Sequence, residues 1–225
     1  MHILELCSGW CSVSRVFKQD HGWHVTTLDN QNRFKPTILT DIATWDYWDY
    51  FATHPLPDVI WASPPCRTMT VAAWARHRGE NGEAISREGK DGDACVQACL
   101  TIIQHCLTLN PRLIFFCENP LHGAFRRLPS VLPYIARGQY RALQYGDYSP
   151  ETHSLKPTIV LTNCDLWTPR PIQRRKSVKH WNCLSKKQRT ILPRILCEEI
   201  AGACVESLGR VPTVRCTRPV SSTVP

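Results

Sequence analysis

Short apolar runs alternate with amphipathic stretches along the first 163 residues, and this alternation restricts the fold more than any other feature of the chain. Apolar, β-branched runs predict strands at residues 2–7, 23–28, 37–40, 58–62, 113–117, 140–145 and 158–162. Apolar residues at helical spacing predict helices at residues 13–18, 43–52 and 94–109. Strands that alternate with helices indicate an α/β fold, in which helices cover both faces of a mostly parallel sheet.

Two segments depart from this alternation. Residues 67–93 are polar and contain four glycines, which predicts a long mobile loop, with Asp93 as the N-cap of the following helix. Residues 191–208 form a final amphipathic stretch with Pro193 in the first helical turn. The predicted organisation is a core at 1–163, a small basic segment at 164–190, a terminal helix at 191–208 that packs on the core, and a disordered tail at 209–225.

Hydropathy and cysteine content exclude several classes of protein. The apolar runs are far shorter than the roughly 18 residues of a membrane span, and Glu5 interrupts the first of them, so neither a transmembrane helix nor a secretory signal is predicted. We therefore expect a cytoplasmic or nuclear protein in which most of the 12 cysteines are small buried thiols. No C-x-x-C occurs, and Cys164, His180 and Cys183 have spacings that fit no common zinc finger, so no metal site is predicted.

Positive charge is concentrated near the end of the chain. The sequence has 27 Lys and Arg against 19 Asp and Glu, a formal charge of +8. Eight basic residues lie within the basic segment 164–190: Arg170, Arg174, Arg175, Lys176, Lys179, Lys186, Lys187 and Arg189. Such a segment can hold a phosphate backbone, while Trp167 and Trp181 stack on or wedge a base. A solvated basic loop is the alternative.

Polar residues follow four of the predicted strands, at the carboxyl ends where open parallel sheets bind ligands. Ser8, Gly9 and Trp10 follow the first strand, Asp29 the second, Pro64-Pro65-Cys66 the fourth and Glu118-Asn119 the fifth. Gly9 lets backbone approach a ligand closely, and Asp29 lies twenty residues on, the separation at which an acidic residue reaches ribose hydroxyls. A turn glycine and a surface aspartate explain this pair equally well.

Cys66 and Glu118 have local contexts that suit catalysis. Cys66 follows a rigid Pro-Pro pair and precedes the polar loop, so its thiol is a candidate nucleophile; an ordinary buried thiol is the alternative. Glu118 follows the apolar run LIFFC, where partial desolvation favours a protonated carboxyl that can share its proton with a ring nitrogen. A strand-end cap is the alternative role of Glu118.

Six motifs lie in a fixed order from residue 3 to about residue 163: LELCSGWCSVSRVF, VTTLDN, TDI, ASPPC, FFCENP and LQYGDYSPETHSLKPTIVLTN. In this order they resemble the first motif, the acid-ending second strand, the adenine-contacting third strand, the proline-cysteine motif, the glutamate-asparagine motif and the Q-Y-G motif of the cytosine-C5 methyltransferases. That family transfers a methyl group from S-adenosylmethionine to carbon 5 of cytosine, usually in DNA. The chain looks most like its short members in phages and large viruses.

The resemblance implies a Rossmann-like methyltransferase fold with a much reduced target-recognition region, and S-adenosylmethionine as cofactor. Cys66 would add to carbon 6 of a flipped-out cytosine in DNA, Glu118 would protonate the ring, and Lys156 and Asn119 would orient the ring and the catalytic groups. The implied cofactor contacts are Cys7, Ser8, Gly9, Trp10, Asp29, Asn30, Asp41, Ile42 and Pro64. The predicted DNA contacts are Arg67, Arg76, Arg170, Arg174, Arg175, Lys176, Lys179 and Trp181.

The chain departs from the family pattern at Cys7, Cys11 and Ser12, where phenylalanine and glycines are usual, and at Lys156, where arginine is common. Three alternatives stay open. The first is the same reaction on RNA, whose loops offer unstacked cytosines. The second is a methyltransferase that acts on an exocyclic amine of a base, which would share the S-P-P sequence. The third is a catalytically idle nucleic-acid-binding protein, which would share only the fold. Cys66 and Glu118 together favour the C5 reaction, in a protein expected to be a monomer without membrane contact.

Overall fold

Seven strands of the computed structural model form one sheet in the order β3-β2-β1-β4-β5-β7-β6. The structure describes residues 1–149, 156–173 and 191–210. Within these ranges the strands are β1 His2–Leu6, β2 His24–Asp29, β3 Ile38–Leu39, β4 Val59–Ala62, β5 Ile114–Pro120, β6 Tyr140–Gln144 and β7 Pro157–Thr162. Neighbours among β1 to β5 pair in parallel, whereas β7 runs antiparallel to β5 and β6. The predicted mostly parallel sheet is confirmed.

Helices lie on both faces of this sheet, as predicted. They are α1 Ser12–His21, α2 Tyr47–Thr53, α3 Trp74–His77, α4 Arg87–Leu109, α5 Leu132–Ala136 and α6 Arg194–Gly209. Leu4 and Leu6 pack in a core that includes α4, whereas Ile3 packs in a core that includes α1 and α6. Because both faces are covered, every residue of β1 is buried, which explains why its sequence is largely apolar. None of the helices described here is long and apolar enough to cross a lipid bilayer.

The segment between β4 and α4 is more ordered than predicted. Instead of one long mobile loop, residues 67–93 contain a 3-10 turn at Val71–Ala73, then α3 and the first turns of α4. The N-cap of α4 is Ser86 rather than Asp93, and its hydroxyl accepts a hydrogen bond from the Gly89 amide. The first turns of α4 are polar, so the helical spacing of apolar residues begins only after Asp93.

Asp93 anchors the preceding segment instead of capping the helix. The Arg78 side chain is fully buried and forms an ion pair with Asp93 at 2.7 Å, and its Nε donates to the Thr68 carbonyl oxygen at 3.0 Å. Gly92 permits this close packing, since a Cβ there would lie 2.5 Å from the Thr68 hydroxyl oxygen. The residues that follow Cys66 are therefore fixed against α4.

Two other helices begin later than predicted. Asp46 caps α2 by accepting a hydrogen bond from the Asp49 amide at 3.0 Å. Pro193 stands at the N-cap of α6 rather than inside its first turn, with an extended ψ of 131°. Residues 174–190 and 211–225, which hold most of the predicted basic segment and tail, lie outside the described residues.

Glu5 is a carboxyl group buried beneath the first turn of α1. It is 2% exposed, and its Oε2 accepts a hydrogen bond from the Ser14 amide at 3.0 Å. Burial raises the pKa of Glu5 from 4.5 to about 7, because desolvation disfavours the carboxylate. The folded state therefore favours the protonated form. The resulting stability is complete below about pH 4.5 and is lost as the pH rises through 7.

We expect the free energy of unfolding to depend on pH through Glu5. A pKa rise of this size corresponds to about 3 kcal/mol, so between about pH 5 and pH 8 Glu5→Gln should gain roughly that much stability relative to the wild type. Urea denaturation of both proteins at the two pH values measures the free energies of unfolding. Groups other than Glu5 titrate alike in the two proteins, so they cancel when the variant is compared with the wild type. An equal pH dependence in the two proteins would contradict the prediction.

Candidate active site

The carboxyl ends of β1 and β2 form one side of the candidate site. Cys7 and Gly9 have positive φ angles of 54° and 49° and form a tight turn after β1. The Gly9 amide donates to Oδ2 of Asp29 at 2.9 Å, and the Gln31 amide donates to Oδ1 at 2.9 Å. The space beside Gly9 is open, since a Cβ there would meet no atom within 4 Å. The structure thus brings Gly9 and Asp29 together next to open space.

Apart from Pro64, which follows β4, the other predicted cofactor residues lie on the same turn or just beyond the ends of β2 and β3. Ser8 and Ile42 are buried, Trp10 is 37% exposed, and Asn30 and Asp41 are exposed. The group combines hydrogen-bond acceptors with apolar surface along one edge of the sheet. It suits the adenosyl part of S-adenosylmethionine, whose ribose hydroxyls need an acceptor and whose adenine needs an apolar surface.

Glu118, Tyr145 and Lys156 form a buried cluster on the other side of the site. The Tyr145 hydroxyl donates to Oε2 of Glu118 at 3.1 Å. Lys156 Nζ lies 3.8 Å from Oε1 of Glu118 and 4.6 Å from the centre of the Tyr145 ring. β5 extends to Pro120, so Glu118 lies within the strand rather than after it. Antiparallel β7 makes the cluster possible, because it starts at the edge where β5 and β6 end.

Tyr145 is a site residue that the sequence prediction missed. The available signal was its place in the LQYG stretch, directly after β6. Burial and the neighbouring Glu118 raise the pKa of Tyr145 well above its usual value. The phenol therefore keeps its proton and stays a hydrogen-bond donor to Glu118.

Asn119 connects β5 to the turn that carries Cys66. Its side chain is fully buried, and Nδ2 donates to the Pro64 carbonyl oxygen at 3.0 Å. The Cys66 carbonyl oxygen accepts a hydrogen bond from the Met69 amide at 3.0 Å, which closes the turn. Asn119 is therefore a positioning residue for the Cys66 turn, and Pro64 contributes the backbone acceptor.

Cys66 is partly exposed beyond the end of β4. Burial raises the pKa of its thiol, the positive charge of Lys156 opposes this rise, and the negative charge of Glu118 adds to it. The thiol is protonated at neutral pH, and attack on a carbon atom requires loss of that proton. Lys156 is the neighbour that favours the thiolate.

Lys156→Gln is expected to slow alkylation of Cys66 several-fold and to move its pH profile to higher pH. The substitution removes the ammonium group that stabilises the thiolate. Reaction with iodoacetamide between about pH 7 and pH 10, followed at Cys66 by mass spectrometry, measures the effect without DNA or cofactor. Lys18→Gln, an exposed change on α1, is the matched control. The prediction is wrong if both variants give the wild-type profile.

The predicted DNA-contact residues fall into three groups. Arg67 and Arg76 are exposed on the segment after Cys66. Arg170 instead contacts the protein, 2.7 Å from Glu199 and 5.1 Å from the centre of the Tyr148 ring. The remaining residues lie outside the described ranges: Arg174, Arg175, Lys176, Lys179 and Trp181.

The chain on either side of residues 174–190 contacts the site edge. The Gln173 amide donates to Oδ2 of Asp147 at 3.3 Å, just after β6, and the Leu192 amide donates to the Ser12 hydroxyl oxygen at 3.3 Å, at the start of α1. Trp167 does not have the predicted role at a base: it is 2% exposed and packs in the core beneath the sheet, so its ring is covered.

Comparison with known proteins identifies the family. No protein-family model matches the chain. A probable DNA (cytosine-5)-methyltransferase of Frog virus 3 (isolate Goorha) is 39% identical over 180 residues, which cover 79% of this chain and 77% of the relative. The chain belongs to the DNA (cytosine-5)-methyltransferase family. The sheet described above agrees with the Rossmann-like methyltransferase fold that the sequence predicts.

Solved structures give more distant similarities. A putative DNA modification methyltransferase encoded within a prophage, from E. coli, aligns with a TM-score of 0.46 at 12% identity, over 77% of this chain and 52% of the other. The catalytic domain of hMettl16, in complex with the MAT2A 3'UTR hairpin 1, aligns with a TM-score of 0.43 at 13% identity, over 76% and 67% of the two chains. The chain therefore spans about half the length of the prophage protein.

Proposed function

We propose that the protein methylates carbon 5 of cytosine in DNA, with S-adenosylmethionine as methyl donor and Cys66 as a covalent nucleophile. The observation that carries this proposal is the pair of Glu118 and Lys156, 3.8 Å apart at the sheet edge, next to the turn of Cys66 that Asn119 joins to the same strand. Membership of the DNA (cytosine-5)-methyltransferase family supports DNA as the substrate.

Residues at the ends of β1 to β3 would hold the cofactor. Asp29 keeps acceptor capacity for ribose hydroxyls, because each of its two oxygens takes one backbone hydrogen bond and a carboxylate has about four acceptor sites. Gly9 leaves open space for close approach, and Ile42 offers apolar surface to adenine. When bound, S-adenosylmethionine supplies a methyl group activated by its positive sulfur.

The catalytic residues would act by transient covalent addition. The Cys66 thiol loses its proton to solvent, and its Sγ forms a bond to carbon 6 of cytosine. Glu118, which takes up a proton as the base binds, donates that proton to ring nitrogen 3, so electron density moves to carbon 5 and makes it nucleophilic. Lys156 stabilises the thiolate before attack, and Tyr145 holds Glu118 in place. Once carbon 5 carries the methyl group, a base removes its remaining proton, the electron pair expels the Cys66 thiolate, and ring nitrogen 3 returns its proton to Glu118.

Carbon 6 is inaccessible inside a base stack, so the target cytosine has to leave the duplex, at a cost of roughly a few kcal/mol. Arg67 and Arg76 are exposed on the segment that follows Cys66 and suit contacts to the displaced backbone. The segment 164–190 suits contacts to the flanking duplex, because seven of its eight basic residues lie after residue 173.

Replacing Arg174, Arg175 and Lys176 together by glutamine is expected to weaken DNA binding and its salt dependence. Each lost phosphate contact lowers the slope of log affinity against log salt by about 0.9, so loss of all three lowers it by up to about 3. Binding to a labelled duplex at several salt concentrations measures this slope, with Lys18→Gln as the control. An unchanged slope would assign DNA docking to another surface.

The activity is tested with methyl-labelled S-adenosylmethionine and either duplex DNA or tRNA, followed by nucleoside analysis. Labelled 5-methylcytosine in DNA is the expected product. Label only in tRNA would contradict DNA as the substrate, and label on an exocyclic nitrogen would contradict C5 chemistry. Absence of label from both nucleic acids, in a protein that binds the cofactor, would contradict the catalytic function.

A further inference from the structure

Three cysteine side chains meet beneath the turn that follows β1. Cys7 is the first residue after that strand, and Cys95 and Cys99 lie on α4. Their three sulfur atoms all lie within 4.8 Å of one another, and the sulfurs of Cys7 and Cys95 are 3.6 Å apart. The sulfur atoms of this three-cysteine cluster take no part in the proposed catalytic steps.

The backbone fixes the three thiols from two independent elements. Cys95 and Cys99 are four residues apart on a 23-residue helix, a spacing that puts both side chains on one face. Cys7 has a φ of 54°, a left-handed conformation that is unfavourable for a residue other than glycine. A strained backbone at a position that delivers a thiol to two others is typical of a site with a ligand.

We propose that Cys7, Cys95 and Cys99 bind one zinc ion, with a water molecule as fourth ligand. Thiolates are ligands that zinc prefers, and three cysteines with one further ligand form a common tetrahedral zinc site. A zinc–sulfur distance of about 2.3 Å places tetrahedral sulfurs about 3.8 Å apart. The observed separations have to change by only about 1 Å or less to reach this geometry.

Access to the cluster also suits an ion. Cys99 is buried, whereas Cys7 and Cys95 are partly exposed, so the cluster lies near the surface on the side of these two residues. Binding replaces the thiol protons, which pass to solvent. The ion would join the turn containing Ser8 and Gly9 to α4. Zinc would therefore stiffen the cofactor side of the site from below.

The spacing along the sequence gives no sign of this site. Cys7 and Cys95 are 88 residues apart, and Cys95-x-x-x-Cys99 alone is an ordinary pair of helix residues. Only the folded chain brings the third ligand to them. The prediction of no metal site rested on local spacing, which does not test a cluster of this kind.

The test uses the full-length protein, reduced, treated with a chelator, reloaded with zinc and dialysed. We expect one zinc ion per wild-type chain, and loss of that ion in both Cys95→Ser and Cys99→Ser. Cys106→Ser, a buried cysteine on the same helix outside the cluster, should keep it. Zinc bound equally by wild type and the two cluster variants would overturn the proposal, as would a wild type that retains no zinc.

A second measurement needs no variant and so does not depend on how the variants fold. Zinc should protect Cys7 and Cys95 of the wild type from iodoacetamide several-fold, measured by mass spectrometry, and a chelator should reverse the protection. Equal labelling with and without zinc would overturn the proposal. A disulfide between Cys7 and Cys95 that forms again in air, with no zinc bound after reduction, would also overturn it.

Discussion

Cys66→Ala is expected to abolish methyl transfer while S-adenosylmethionine still binds. The proposed reaction makes carbon 5 nucleophilic only after Sγ has bonded to carbon 6, and alanine offers no atom that can form that bond. The cofactor residues lie at the ends of β1 to β3, whereas Cys66 lies beyond β4, so the substitution should leave the cofactor affinity within about a factor of three.

The measurement combines turnover with trapping. Duplex DNA that contains 5-fluorocytosine cannot lose fluorine as a cation after methylation, so the wild type should stay covalently attached and shift on a denaturing gel. Cys66→Ala should show neither turnover nor the shifted band. Cys106→Ala, which removes a buried thiol on α4, should show both. Residual turnover by Cys66→Ala near the wild-type rate would contradict the covalent mechanism.

Glu118→Gln has the second largest expected effect, a loss of about 10²- to 10⁴-fold in kcat. The amide keeps an oxygen that can accept the Tyr145 hydrogen bond, so the local structure should persist. It cannot deliver a proton to ring nitrogen 3, so electron density does not move to carbon 5. The substitution also removes the negative charge that raises the pKa of the Cys66 thiol.

These two consequences of Glu118→Gln can be separated. Alkylation of Cys66 should become faster in the variant, because a neighbouring negative charge is lost, whereas methyl transfer should become slower. If Glu118 is only a strand-end cap, the substitution should lower the free energy of unfolding without changing the two rates in opposite directions. Glu80→Gln, an exposed change on the segment after α3, should leave both rates unchanged. Parallel changes in the two rates of Glu118→Gln would contradict its role as proton donor.

The sheet could be predicted because burial on both faces leaves a direct trace in the sequence. β4 is a continuous apolar run and β1 is largely apolar, since each of their residues is buried. Cys66 and Glu118 could be chosen from the sequence as candidate site residues for a related reason. Neighbouring parallel strands end at the same edge of a sheet, so residues at those ends come together. Lys156 was reached only through the family resemblance, because β7 runs antiparallel and brings its first residues, not its last, to that edge.

Structure that depends on distant partners could not be predicted in this way. Residues 67–93 lack apolar periodicity. They are held in place by the ion pair between the buried Arg78 and Asp93, which leaves no such pattern in the sequence. The long α4 begins with polar residues and glycines, so local patterns place its start too late. Trp167 lies in a basic stretch, and only the packed core shows that its ring is inside.

The residues that flank segment 174–190 on both sides form hydrogen bonds at the sheet edge that carries the site. Antiparallel β7 leads the chain away from that edge, yet by Gln173 the backbone has returned to Asp147, and Leu192 resumes beside Ser12. The intervening segment is thus tethered at two points, one near the catalytic cluster and one near the cofactor turn. In the proposed function residues 174–190 contact DNA, and both of their anchor points lie at the edge that carries the site. If that proposal holds, we expect a change in the charge of this segment to alter DNA binding while the sheet stays intact.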